Sequence, residues 1–234
     1  MKKYTAIVLA AGMGKRMNSS VPKQYLTLAD RPVLYHALKA FEESDVTDII
    51  LVVGAGEASY CREEIIEKYA LRKISAVTEG GKERYHSVYE GLKAAKGADY
   101  VLIHDGARPL ITKEIIQRAM QTVLQEQACV VGMPVKDTIK VVGEDGRAET
   151  TPERSRLWQI QTPQAFSYDL ICGAYECMLA RKDIAVTDDA MVLEHVTGRK
   201  VKVIKGSYEN IKITTPEDLL VAETYLKRRM YGEP

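Results

Sequence analysis

The 234-residue sequence contains few cysteines, and their spacing excludes the common zinc-binding frameworks. None of the four forms a Cys-x-x-Cys pair, and no histidine stands where it would complete a zinc site. We therefore expect reduced, mostly packed thiols, as in a cytoplasmic protein. The cysteines are Cys61, Cys129, Cys172 and Cys177.

An excess of charge of either sign is also absent. The chain has 33 basic and 32 acidic residues, a formal net charge of +1. Because neither sign dominates, the composition does not favour nucleic acid or a membrane surface as the main partner, and any attraction for anions must come from local clusters. No segment approaches the roughly 20 apolar residues of a membrane span, and the sequence predicts no signal peptide.

Apolar strand-like runs alternate with segments of helical periodicity along most of the chain. This alternation predicts a single domain over residues 1–234, with a Rossmann-like wound, mostly parallel sheet and helices on both faces. The predicted strands are 4–10, 48–53, 73–78, 99–104, 128–135 and 200–205. The predicted helices are 33–41, 57–70, 84–95, 115–124, 167–181, 187–196 and about 216–230.

A polar segment, residues 137–153, interrupts the alternation. Its sequence, DTIKVVGEDGRAETTPE, alternates weakly and contains a Gly-Glu-Asp-Gly turn. These features predict a β-hairpin arm at about 137–155. The arm has too little apolar surface for a core of its own. It is therefore either an exposed surface hairpin or an arm that packs against a second subunit, and we favour the second interpretation.

The stretch IVLAAGMGKRM, residues 7–17, places a glycine loop directly after a predicted strand. Gly12 and Gly14 would let backbone N–H groups approach an anion. The loop is not a P-loop, which needs four residues between its glycines and then Lys-Ser/Thr. It is not a dinucleotide fingerprint either, because Met17 stands where the third glycine would be.

Cations accompany this loop. Lys15, Arg16 and Lys23 would repel one another unless an anion joins them, so the cluster predicts a bound polyphosphate such as a triphosphate. Lys15 is the weakest candidate, since it is equally consistent with a solvated surface charge.

The stretch VLIHDGARP, residues 101–109, ends a predicted strand in an aspartate. In wound parallel sheets the ligand lies beyond the carboxyl ends of the strands, so Asp105 is a natural Mg²⁺ ligand beside a polyphosphate. The alternative is an aspartate that only stabilises a turn. Arg108 could clamp a phosphate. His104 is expected to be a packed, hydrogen-bonded histidine rather than a catalyst.

Further polar positions give weaker signals. In TEGGKERYHSVYEGL, residues 78–92, Gly80 and Gly81 open a loop, and Ser87 follows on a helix where it could reach a base or ribose. Four more residues could be merely structural. Arg154 and Lys212, the latter in a strand-like NIKIT, could be solvated charges, and Thr162 and Thr187 could cap helices.

Taken together, six motifs resemble the 2-C-methyl-D-erythritol 4-phosphate cytidylyltransferase family. They are LAAGMGKRM, PKQYL, HDGARP, PVKDTIK, QTPQAF and NIKIT, which occur in this order over nearly the whole chain. The glycine-arginine loop alone marks only the wider nucleotidyltransferase superfamily. The resemblance implies an enzyme that uses Mg²⁺ and CTP to cytidylylate a sugar-alcohol phosphate, with release of pyrophosphate.

The resemblance also implies residue roles. Arg16 and Lys23 would stabilise the transition state, and Asp105 would lie beside the metal and both substrates. The implied CTP-binding residues are Ala10, Ala11, Gly12, Gly14, Gly81, Ser87 and Asp105. The expected substrate-binding residues are Arg108, Thr138, Arg154, Thr162, Thr187 and Lys212.

The implied assembly is a homodimer whose arms clasp, so that Thr138 and Arg154 enter the partner's site. One departure from the family is Lys82, since the family often has aspartate after the Gly-Gly pair. This departure weakens any claim that the side chain at position 82 contacts the nucleotide.

The chemistry agrees with this resemblance. A phosphate monoester, with a second pKa near ~6, is mostly dianionic at neutral pH and needs no general base, which fits the lack of an evident Ser-His-Asp or Cys-His set. Catalysis then depends on in-line positioning and on cations around the α-phosphate. The alternatives are a ribitol-5-phosphate cytidylyltransferase and a non-catalytic nucleotide-binding regulator. A dinucleotide-dependent oxidoreductase is disfavoured by Met17 and by the missing ribose-binding acid.

Overall fold

The structure, a computed structural model, describes residues 2–12, 14, 17, 21–181 and 185–231. Of residues 230 and 231 it describes only the backbone. Two of the cations predicted to surround the phosphates, Lys15 and Arg16, lie outside the described residues. The roles expected of them therefore stay predictions.

Helices and strands alternate as predicted. The strands are β1 Tyr4–Ala10, β2 Thr27–Leu28, β3 Arg31–Pro32, β4 Asp48–Val53, β5 Ile74–Glu79, β6 Tyr100–Asp105, β7 Ala128–Pro134, β8 Val141–Val142, β9 Ala148–Thr150, β10 Trp158–Ser167 and β11 Lys202–Lys205. The helices are α1 Val33–Glu42, α2 Ala58–Tyr60 with its π-helical continuation Cys61–Glu67, α3 Arg84–Ala94, α4 Lys113–Glu126, α5 Tyr168–Ala180, α6 Asp189–Thr197 and α7 Pro216–Tyr231.

Seven of these strands form one sheet in the order β11-β7-β10-β6-β1-β4-β5. All neighbours are parallel except at β10, which is antiparallel to both β6 and β7. Side chains alternate between the faces of a strand. Ala6 and Val8 of β1 therefore pack in one core with α1 and α4, whereas Ile7 packs in the other with α3, α5 and α6. The predicted wound, mostly parallel sheet with helices on both faces is confirmed.

Strand β10 was not predicted from the sequence. The segment 158–167 is rich in glutamine and contains Pro163, which cannot donate a hydrogen bond within a sheet and argues against a central strand. In the structure the register of β10 against β7 breaks between Ile160 and Gln164, and this bulge accommodates the proline. Thr162 accordingly lies within a strand, so its suggested role as a helix cap is wrong.

A third, smaller hydrophobic core accounts for the apolar side chain at position 17. Met17 is 5% exposed and packs with Leu28, Val33, Leu110, Ile213 and Ala222, which joins α7 to the loop after β1. The strand expected around Lys212 is wrong, because residues 206–215 form an irregular connection between β11 and α7. The Ile213 N–H donates to the Ala107 carbonyl and holds this connection against the loop after β6.

Within the predicted hairpin, β8 pairs antiparallel with β9 in a two-stranded sheet separate from the main one. Its apolar side chains Ile139, Val141 and Val142 are exposed. The use of this arm by a second subunit stays a prediction. None of the helices formed by the described residues combines the length and the apolar character that crossing a bilayer requires.

Candidate active site

The carboxyl ends of the parallel strands bring the predicted motifs together. The register of β1 against β6 places Leu9 beside Asp105, and the Gly106 N–H donates to the Leu9 carbonyl over 2.8 Å. The Gly80 N–H bonds the Val53 carbonyl at the end of β4, also over 2.8 Å. The loops after β1, β5 and β6 therefore surround one cleft, at the edge of the sheet where wound folds bind their ligands.

The first of two adjoining cavities in this cleft has a volume of about 200 Å³. It unites most of the residues predicted to bind CTP with three lysines, Lys23, Lys82 and Lys212. The predicted residues on its wall are Ala10, Ala11, Gly12, Lys23, Gly81, Ser87, Asp105 and Lys212.

Two glycine positions let the loops approach one another. A Cβ atom on Gly80 would lie 2.5 Å from the Ser87 hydroxyl and 2.6 Å from the Ala11 Cβ, so only glycine fits there. Gly14 has a φ of 61°, a left-handed conformation that glycine adopts at little cost. The Gly81 N–H donates to the Ser87 hydroxyl over 3.2 Å. Ser87 therefore holds the Gly-Gly loop as well as lining the cavity.

Lys23 enters the cavity from a single 3₁₀ turn, Lys23–Tyr25. Its ammonium donates to the Ile213 carbonyl over 2.9 Å. The buried side chain of Gln24 donates to the Ala10 carbonyl at the end of β1. These contacts fix the turn against the glycine loop, and sequence reasoning did not identify Gln24 as part of that support.

Asp105 lies at the centre of a cationic group. Its Oδ2 is 2.8 Å from the Lys212 ammonium and 3.8 Å from the Arg108 Nε, and its Oδ1 is 3.3 Å from the Arg84 Nε. Burial alone would raise the pKa of the Asp105 carboxyl, but Arg84, Lys212 and Arg108 together hold that pKa well below its usual range. The carboxylate is therefore ionised at any physiological pH.

The second cavity, of about 260 Å³, adjoins the first at Asp105. The Arg108 guanidinium donates to the Asn210 carbonyl over 2.8 Å, and its buried Nε lacks a hydrogen-bond partner among the described residues. The predicted substrate-binding residues on the wall are Arg108, Thr162, Thr187 and Lys212. Thr138 and Arg154 line neither cavity. Both are exposed, Thr138 near the start of the arm and Arg154 in the 3₁₀ turn at its end.

A hydrogen-bond chain fixes the loop that carries Asp105. The Asp105 N–H donates to the Thr162 hydroxyl, which is then left to donate to His104 Nδ1, both over 3.1 Å. His104 Nε2 donates in turn to the Arg108 carbonyl over 3.2 Å. Burial lowers the pKa of His104 to about 4. His104 is therefore the neutral, packed histidine expected from the sequence.

The described residues of the cleft do not form a ready-made metal cage, although Glu83 and Asp188 line its cavities besides Asp105. No group of three or more His, Cys, Asp or Glu side chains that could hold a metal occurs in the part of the chain that the structure describes. Mg²⁺ usually keeps several waters and is held by one or two carboxylates together with substrate phosphates. An ionised Asp105 on the wall of a cavity that lysines also line fits that mode of binding.

Arg84 is the main cleft residue that the sequence did not reveal. It opens α3, lines both cavities and contacts two aspartates, Asp105 and Asp189. Asp189 lies 105 positions further along the chain. No local pattern could have paired these residues.

Comparison with known proteins agrees with the geometry. A model of the 2-C-methyl-D-erythritol 4-phosphate cytidylyltransferase family matches residues 4–228. The chain is 53% identical over 227 residues to the enzyme of that name from Lachnoclostridium phytofermentans, covering 97% of each chain. It is 52% identical over 234 residues to the one from Alkaliphilus oremlandii, covering 99% of this chain and 98% of the relative.

Solved structures show the same likeness. The 4-diphosphocytidyl-2C-methyl-D-erythritol synthase of Anaerococcus prevotii superposes with a TM-score of 0.85 at 35% identity, covering 97% of this chain and 99% of the other. The 2-C-methyl-D-erythritol 4-phosphate cytidylyltransferase of Thermus thermophilus superposes with a TM-score of 0.77 at 27% identity, covering 97% of this chain and all of the other.

Proposed function

The chain belongs to the 2-C-methyl-D-erythritol 4-phosphate cytidylyltransferase family, and we propose how its residues divide the work of that reaction. The enzyme transfers a cytidylyl group from CTP to 2-C-methyl-D-erythritol 4-phosphate. The products are 4-diphosphocytidyl-2-C-methyl-D-erythritol and pyrophosphate. The observation that carries the division of roles is the pair of adjoining cavities, which meet at Asp105 and Lys212.

The first cavity is the proposed CTP site. The backbone of Ala10, Ala11, Gly12 and Gly14 faces the triphosphate, and the Gly81 loop with Ser87 faces the cytidine. Fixed backbone groups match one base edge and leave those of other bases unpaired, which costs about 1–3 kcal/mol per buried group. CTP is therefore the preferred nucleotide.

The second cavity is the proposed site of the sugar-alcohol phosphate. Lys212 and Arg108 bring positive charge to it, and Thr162 and Thr187 are the proposed polar contacts for the substrate. The phosphate dianion is itself the nucleophile, so the main obstacle is its repulsion from the triphosphate. Lys23 from the CTP side, with Arg16, neutralises charge that develops at the α-phosphate.

Mg²⁺ is part of the proposal. Asp105 is the protein ligand that this chain would offer, and the triphosphate and water would supply the others. When bound, the ion neutralises phosphate charge that the lysines and arginines leave uncompensated.

A homodimer in the cytoplasm completes the proposal. Thr138 and Arg154 reach the second cavity of the partner subunit, which is supported by the exposed apolar residues of the arm. The free thiols of all four cysteines support a reducing compartment.

A pyrophosphate-release assay tests the proposal. The purified protein receives Mg²⁺, CTP and 2-C-methyl-D-erythritol 4-phosphate, and pyrophosphate is expected only when all three are present. Parallel reactions replace the acceptor by ribitol 5-phosphate or replace CTP by ATP, and both are expected to be far slower. Faster turnover with ribitol 5-phosphate would overturn the substrate assignment, and comparable turnover with ATP would overturn the nucleotide assignment.

A further inference from the structure

We propose that Arg84 is a positioning residue that orients the Asp105 carboxylate between the two substrates. The inference rests on the role proposed above for Asp105. It assigns Arg84 no direct contact with the reacting atoms.

The guanidinium of Arg84 is anchored by a carboxylate that has no access to solvent. Its Nη1 and Nη2 donate to the two oxygens of Asp189 over 2.8 and 2.9 Å, and the Asp189 side chain is fully buried. A parallel, two-bonded arrangement of this kind fixes the plane of an arginine as well as its position.

Asp189 is itself held from two other elements. The Tyr175 hydroxyl, from α5, donates to its Oδ1 over 2.6 Å. The Asp189 N–H donates to the Gln164 Oε1, from β10, over 3.0 Å. Two elements besides its own helix α6 therefore hold Asp189 in place, and the guanidinium that Asp189 binds has little freedom to turn.

The third nitrogen of Arg84 is directed at Asp105. With both terminal nitrogens bound to Asp189, the Nε lies 3.3 Å from Asp105 Oδ1. Lys212 holds the other oxygen, Oδ2, over 2.8 Å. Because Arg84 contacts one oxygen and Lys212 the other, the two contacts together fix the rotation of the Asp105 carboxylate. One contact alone would leave that rotation free.

The two cations are not equivalent. Lys212 has three N–H donors on a flexible stem and can share them between Asp105 and a substrate phosphate. Arg84 adds to the positive charge around Asp105 and, because Asp189 fixes its guanidinium, also gives the carboxylate a partner of fixed position. If Lys212 turns toward a substrate phosphate, Arg84 still holds the carboxylate in place.

The location of Arg84 suits this role. It lines both cavities, as do Asp105 and Lys212. Through Asp189 it also ties the loop that begins at Gly81 to the start of α6, next to Thr187. One residue thereby sets the carboxylate relative to both sides of the cleft.

Conservative substitutions separate positioning from charge. Arg84→Lys keeps the positive charge, but an ammonium cannot bind both Asp189 oxygens and Asp105 in fixed geometry. Asp189→Asn keeps the shape of the side chain and removes the negative charge that anchors the Arg84 guanidinium. Removing support from a group that binds a metal or substrate typically costs 10- to 100-fold in activity. We expect each variant to lose about 10- to 100-fold in kcat, with the KM for CTP changed less than about threefold.

The experiment compares these variants with wild type and with Lys93→Met, which removes an exposed cation from the same helix. Circular dichroism establishes that each protein is folded at the assay temperature. The double variant Arg84→Gln with Asp189→Asn removes both charges together and leaves no buried carboxylate unpaired, so it serves if a single variant fails to fold. The same loss in kcat is expected of it.

A folded Arg84→Lys or double variant with the kcat of wild type would overturn the inference. A lowered melting temperature with unchanged kcat would show that the Arg84–Asp189 pair only joins α3 to α6. If wild type itself released no pyrophosphate from CTP and 2-C-methyl-D-erythritol 4-phosphate, the proposed function would fail. An active wild type with unaffected variants overturns this inference alone.

Discussion

Lys23 occupies the wall of the first cavity through a short turn that is tied to the rest of the cleft at both ends. Its ammonium bonds the Ile213 carbonyl, and the neighbouring Gln24 bonds the end of β1. A cation placed before the substrates arrive needs no rearrangement when charge develops. Such preplaced charges contribute most in the transition state.

The first prediction follows at the scale of this residue. Lys23→Ala and Arg16→Ala should each lower kcat by on the order of 10²–10³. The KM for CTP should rise less, because both cations interact most strongly with the charge that develops during transfer. Steady-state kinetics with saturating acceptor measure both quantities.

Lys68→Ala is the matched control, since Lys68 is an exposed lysine paired with Glu64. If a variant kept a normal kcat and only bound CTP more weakly, the lysine or arginine removed in it would stabilise bound CTP rather than the transition state.

The arm is the element that we propose to act beyond its own chain. Its strands β8 and β9 pair only with each other in the described sheets, and Val141 and Val142 remain exposed. Arg154 lies at the end of the arm in an exposed turn, whereas Lys212 lies in the cleft of its own chain. Two cations proposed for one substrate thus come from segments that lie apart in the single chain.

Subunit exchange tests this arrangement. Arg154→Ala and Lys212→Ala should each be nearly inactive while CTP binding is kept. If Arg154 acts in the partner's site, a mixed dimer of the two variants has one site without either cation and one site with both. Random exchange makes about half of the dimers mixed, with one of two sites intact, so activity should return to at most roughly a quarter of wild type.

Mass measurement of the same samples verifies the dimer and the exchange. Verified exchange without any return of activity would place both residues in the site of one chain. A monomer under assay conditions would rule out the proposed crossing of the arm.

At the scale of the whole molecule, the packing of the two cores separates the four thiols into two classes. Cys61 and Cys129 are fully buried, and burial raises the pKa of Cys129 to about 12. Cys172 and Cys177, on α5, are partly exposed. Thiol reagents react with accessible thiolates.

Two thiols should therefore react rapidly in the native protein, and all four should react in denaturant. Titration with a chromogenic disulfide measures the number of reactive thiols in the native protein and in denaturant. A variant with Cys172→Ser and Cys177→Ser should lose the rapid phase and keep its activity. Rapid reaction of four thiols in the native state would contradict the packing described here.

The sequence by itself determined the class of fold and most of the cleft. Strands such as 4–10 and 48–53 are buried on both faces, and their uninterrupted apolar runs therefore predict a parallel sheet covered by helices. Because the carboxyl ends of parallel strands share one edge of the sheet, the sequence alone predicts that the glycine loop and Asp105 lie close together. The order of the motifs then indicated the family.

Only the tertiary structure decided the features that depend on contacts between distant segments. The central position of β10 comes from pairing with β6 and β7, which overrides the local signal of Pro163. Lys212 meets Asp105 from an irregular segment rather than a strand, because the contact between residues 213 and 107 holds that segment in place. Arg84 is joined to Asp189 across more than a hundred positions. Local patterns report propensity and periodicity, whereas burial and charge pairing exist only once the chain has folded.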